Sequence, residues 1–151
     1  MEYIQAKSAE LKNSTIHYPC DTYTRFPAAC YRYKVAWMKS TLKFELEELA
    51  QECLKLESRF RLGCFHGIGF SYVYEIVKHP EYIAEVCSFG NADDQEICLE
   101  GAVEKLAEDD AQFAQSVCEY LEATNKEVCL RAVQNNIYSL TKSFRLYFAE
   151  A

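Results

Sequence analysis

Cys87-Ser88-Phe89-Gly90-Asn91-Ala92-Asp93-Asp94-Gln95-Glu96-Ile97-Cys98 holds a helix stop and a helix start, with a cysteine at either end. Gly90-Asn91 tolerates the positive φ at which helices end. Asp93 and Glu96 have the spacing of a capping box, which opens a helix. Upstream, Pro80 stands at the first position of a helix running through Glu81-Tyr82-Ile83-Ala84-Glu85-Val86 to Cys87. The stretch therefore predicts one helix ending near Cys87, a short loop, and a second helix carrying Cys98 one turn inside its start.

The same grammar recurs along the chain. The eight cysteines form the pairs Cys20/Cys30, Cys53/Cys64, Cys87/Cys98 and Cys118/Cys129, with internal gaps of 10, 11, 11 and 11. First cysteines step by 33, 34 and 31 positions, second cysteines by 34, 34 and 31. A period of this size is that of a two-helix solenoid unit. In the last unit Phe113 to Leu121 leads in, and Thr124 with Glu127 opens the second helix five residues before Cys129, the offset of Asp93 from Cys98. Pro27 marks a helix start in the first unit. The expected fold is all-α: a right-handed α-solenoid of about four antiparallel helical hairpins, each bridged by a disulfide. One domain, 1–151, would hold units of about 1–39, 40–78, 79–108 and 109–151.

Two antiparallel helices put the cysteines of a pair opposite each other across the loop, so pairing within each pair is expected. Eight cysteines nonetheless allow on the order of a hundred pairings. Each bridge would close a loop of about ten residues, worth roughly 2–3 kcal/mol on the chain-entropy argument. Three residues after the second cysteine come Tyr33, Gly67, Gly101 and Ala132; small residues there suit a close helix crossing. Val133, Ile137, Leu140, Phe144 and Phe148 form an apolar stripe along the last helix. A terminal unit usually turns a polar face outward, so this stripe predicts packing back on the body, or a homodimer through the C-terminal helix.

The chain has 151 residues, half of them apolar, and a net charge of −7. The charge is uneven: residues 76–151 hold 14 acidic and 6 basic side chains. An acidic chain without a basic cluster is a poor ligand for a phosphate backbone, which argues against nucleic acid. The longest apolar run, Gly63 to Val77, contains His66 and Glu75, so no membrane span is expected. Met1-Glu2-Tyr3 lacks the start of a signal peptide, yet paired cysteines belong to oxidising compartments. The expectation is a mature or truncated form of an extracytoplasmic protein, periplasmic or secreted.

Short, disulfide-bridged helical hairpins in tandem over residues 18–140 resemble the Sel1-like, tetratricopeptide-related repeats of secreted bacterial cysteine-rich proteins. The runs Cys64-Phe65-His66-Gly67 and Cys98-Leu99-Glu100-Gly101 also resemble the units of uncharacterised bacterial secreted repeat proteins. The cysteine gap is longer than in the Sel1-like family, and its Leu-Gly and Ala-Tyr-Tyr patterns are missing. The resemblance implies an architecture and, by analogy, protein binding.

Chemistry-bearing motifs are few. Without Cys-x-x-Cys there is no zinc or haem signature, and no Gly-x-Ser-x-Gly nucleophile elbow occurs; no metal or cofactor is expected. Two residues after the second cysteine stand Arg32, His66, Glu100 and Arg131, equivalent positions that would project in one row. With Tyr33 they are the candidate ligand-binding residues of a groove holding a protein or peptide. Tyrosines and other aromatics crowd the first two units and would anchor the partner. An alternative is an enzyme or small-ligand binder with a pocket between the first two units around His66, using Arg32, Tyr33 and Glu100. A metal or redox protein with reduced cysteines would be a third. The acidic stretch Glu104 to Asp110 reads as a helix end and cap.

Overall fold

The computed structural model describes residues 16–22 and 25–138, and every regular element among them is helical. Four long helices, α1 (Pro27–Ser40), α3 (Ser58–Ser71), α6 (Ala92–Asp109) and α8 (Ala123–Tyr138), alternate with shorter pieces. The short ones are α2 (Leu46–Leu54), α4 (Val73–Lys78), α5 (Ile83–Val86) and α7 (Ala111–Val117). A 3-10 turn, Pro80–Tyr82, leads into α5, and another, Cys118–Tyr120, follows α7. The long helices pack side by side in chain order, α1 on α3, α3 on α6, and α6 on α8. The short helices α2, α5 and α7 attach to long ones and not to one another to any comparable extent.

Glycines allow the long helices their close approach. A Cβ at Gly67 of α3 would stand 2.7 Å from the Tyr31 carbonyl oxygen on α1. At Gly69 it would collide with the Cys98 carbonyl oxygen and lie 2.8 Å from the Ala102 nitrogen on α6. At Gly101 of α6 it would collide with the His66 carbonyl oxygen on α3. Backbone therefore meets backbone on both sides of α3, and Gly63 through Gly69 are all buried. A helix covered on every side must be apolar nearly all round. Tyr31, Val35, Phe65, Ile68, Leu99, Ala102 and Val103 complete the core between these helices.

All four disulfides form within the pairs, with Cα–Cα distances of 5.4 to 5.6 Å. Each ties the segment before a long helix to that helix: α2 to α3, the end of α5 to α6, the turn after α7 to α8, and the turn at residues 16–22 to α1.

Pro27 and Pro80 hold their predicted helix starts. The capping residues differ. In α6 the cap is Asn91, whose side chain accepts from Asp94 N (3.0 Å) while Asp94 accepts from Asn91 N (2.9 Å). Gly90, at φ +78, frees the chain to enter the helix there, two positions before Asp93 would have capped it. Thr124 lies inside the first turn of α8, which begins at Ala123. Asp110 does cap: it ends α6 and accepts from Phe113 N (3.1 Å) at the start of α7. The long helix of the second unit breaks at Tyr72, separating α3 from α4. Val133 is buried, whereas the Ile137 side chain and Leu140, Phe144 and Phe148 fall outside the described residues.

Candidate functional site

The five candidate residues have very different surroundings. Tyr33 is 77% exposed and Arg131 is exposed, Arg32 and Glu100 are half-buried, and His66 is fully buried. They do not line one open row. The residue that gathers Arg32 and His66 is Glu104, one helical turn beyond Glu100 on α6. Arg32 Nη2 donates to Glu104 Oε1 at 3.0 Å, and His66 Nε2 lies 3.1 Å from Oε2. A carboxylate only accepts, so Nε2 is the donor. Glu104 is only 5% exposed, and its two oxygens thus join α1 and α3 to α6. The Arg32 guanidinium also lies over the Phe70 ring, 4.6 Å from its centroid.

Further along the row a second pairing repeats. Arg61 forks onto Asp94 through Nε (3.0 Å) and Nη2 (2.5 Å), and Asn125 Nδ2 donates to Gln95 Oε1 at 3.1 Å. Arg61 and Gln95 stand three residues before Cys64 and Cys98; Asp94 and Asn125 stand four before Cys98 and Cys129. The third and fourth positions before successive second cysteines therefore bridge α3 to α6 and α6 to α8. Asp94 is 1% exposed, and its hydrogen bonds to Arg61 hold that guanidinium's pKa above its ordinary value.

On the first unit, His17 joins three elements: Nε2 lies 3.1 Å from Glu52 Oε2 on α2, and Nδ1 lies 3.2 Å from the Tyr31 hydroxyl on α1. Between α1 and α4, Lys39 donates to the Ser71 carbonyl (2.9 Å) and to Glu75 (2.5 Å), and its ammonium lies over the Tyr72 ring. Burial, with nearby carboxylates, pushes the Tyr72 phenol up.

The aromatics divide. Tyr31, Phe65 and Tyr72 are core; Tyr33 and Phe26 are exposed and Trp37 is half-buried on α1. Tyr33 and Trp37, four residues apart on α1, share one face, and Phe26 caps the start of that helix. Cations attend that stripe, Arg25 over Phe26 and Lys34 over Trp37. Tyr74 and Val77 form a smaller exposed apolar pair on α4.

All eight cysteines are disulfide-bonded. Among the described residues no group of three or more His, Cys, Asp or Glu could hold a metal ion, and no helix is long and apolar enough to cross a membrane. No protein-family model, curated protein or solved structure matches this chain.

Glu104, Asp94, His17 and Glu52 are not recognisable as partners from motifs. The bridges between units do leave a signal, since complementary polar types occupy the third and fourth positions before successive second cysteines.

Proposed function

We propose that this chain is a protein- or peptide-binding scaffold built as a right-handed solenoid of about four antiparallel, disulfide-stapled hairpins. Its repeat plan resembles that of Sel1-like proteins, and it works outside the cytoplasm, in a periplasm or after secretion. Four disulfides, bonds that oxidising compartments sustain, support that location.

The observation that carries the binding reading is Tyr33. It holds the repeat position that is Gly67 and Gly101 in the next two units, where the helices touch, yet it is large and open to solvent. Phe26 and Trp37 extend it into an aromatic stripe, and rigid amphipathic rings are effective anchors at low entropic cost. Arg25 and Lys34 beside the stripe favour a partner with acidic groups. Peptides selected by display against the oxidised protein should lose at least tenfold in affinity on Tyr33→Ala. Unchanged binding by all of them would refute the assignment.

The alternative, a small-ligand or catalytic pocket between the first two units, has one point in its favour: His66 is fully buried and hydrogen-bonded to a carboxylate. If that reading holds, His66→Gln abolishes ligand binding or turnover while leaving the peptide affinities above unchanged.

A further inference from the structure

We propose that His17 is an acid-sensitive latch that holds the turn of residues 16–22 against α1 and α2. The device is independent of what the scaffold binds.

Several contacts attach the turn to the body, Ile16 packing against the core among them. Cys20 is bonded to Cys30, and the His17 ring bonds both Tyr31 on α1 and Glu52 on α2. The ring's two bonds respond to protons. Glu52 also pairs with Lys55 Nζ (2.6 Å) and its carboxylate can only accept, so Nε2 of His17 carries the hydrogen. In neutral imidazole Nδ1 is then a bare acceptor, and the Tyr31 hydroxyl donates to it. One tautomer of the neutral ring satisfies both partners. A proton on Nδ1 turns that acceptor into a donor. The Tyr31 hydroxyl must then reverse, and its own hydrogen has to find another acceptor inside a fully buried site.

The charged groups facing the ring are Glu52 from α2, Lys55 at the C-terminal cap of α2, and Asp21 from the turn itself; the Tyr31 phenol faces it from α1. Burial disfavours the imidazolium most, Lys55 adds repulsion, and these outweigh the attraction of Glu52 and Asp21, so the pKa of His17 lies below its ordinary 6.5. The released turn, with its ring in water, binds the proton more readily than the docked one. Docking is therefore at full strength above about pH 6.5 and weakens as pH falls toward the depressed value of the docked ring. Below that value it changes no further. Across the window one linked proton shifts the docking equilibrium about tenfold per pH unit. The Cys20–Cys30 bridge keeps the loosened turn tethered.

The test is amide hydrogen exchange of the oxidised full chain between pH 8 and pH 5, corrected for intrinsic rates. The Cys20, Asp21 and Thr22 amides bond back into the turn and report its opening. Their exchange should accelerate up to about tenfold per unit below pH 6.5, while amides in α6 stay unchanged. His17→Gln should flatten the profile. Tyr31→Phe, which removes the donor to Nδ1, should raise the His17 midpoint followed by proton resonance, and serves if His17→Gln fails to fold. A flat wild-type profile, an equal slope in His17→Gln, or an unmoved midpoint in Tyr31→Phe would overturn the latch.

Discussion

Along α1, α3 and α6, neighbours meet backbone to backbone at glycines and are cross-tied by buried polar groups, Arg32 and His66 to Glu104 and Arg61 to Asp94, and α8 packs on α6 next in the row. The short helices α2, α5 and α7 have neither device between them; each leans on long helices through apolar side chains and one disulfide. Close approach leaves no room for change, whereas an attached layer can loosen piece by piece. Stability should accordingly be collective in the row and local in the layer.

Glu104→Ala is expected to do most damage. It removes the carboxylate that buried His66 and Arg32 both bond, a loss of about 3–5 kcal/mol for a broken buried pair. Chemical denaturation should show it as one cooperative shift shared by all long helices. A change confined to α6 would mean the row is not a single unit. Gly69→Ala comes next, at about 3 kcal/mol, because the new methyl group meets backbone that cannot swing aside. The matched change in the layer is Ala84→Val on the exposed side of α5, which should stay within about 0.5 kcal/mol. Equal losses at the two sites would erase the distinction.

Removing one staple probes the layer directly. Cys53→Ala with Cys64→Ala should cost about 2–3 kcal/mol. Because α2 packs chiefly on the long helices α1 and α3, hydrogen exchange should rise in α2 and leave α6 protected. Uniform loss of protection would show that the staple supports the row as well.

These contrasts were unequally legible in the amino-acid order. The cysteine spacing carried the within-pair bridges, and Gly67 and Gly101 announced close crossings, because a missing side chain inside a helix is destabilising unless packing uses it. Pro27 and Pro80 marked helix starts through a fixed φ. Caps were less certain: Asn91, Asp93 and Asp94 can all accept a backbone N–H, and only the turn at Gly90 selects among them. Expecting Arg32, His66, Glu100 and Arg131 in one row assumed identical packing in every unit. Glu104, one turn beyond Glu100 on α6, is instead the residue that meets Arg32 and His66. Read locally, Glu104 belongs to an acidic helix end; its partners are 38 and 72 residues away. His17 was silent for the same reason, its Glu52 contact spanning 35 residues.

The smallest expected effect concerns Lys55, which is mostly exposed and pairs with Glu52 three residues away. Lys55→Ala should change stability at neutral pH by no more than about 0.5 kcal/mol, as screened surface pairs do. Its value lies in the sign of a second measurement. The Lys55 charge opposes protonation of His17 and also occupies the carboxylate that would welcome an imidazolium. Without it the docked ring should titrate closer to its ordinary value. The interval between docked and released pKa narrows, so acidification costs the layer less stability than in the wild type. A His17 midpoint that moved down instead would mean Lys55 acts chiefly by holding Glu52 in place for the ring. The polar contact, rather than burial, would then be the main restraint on that turn.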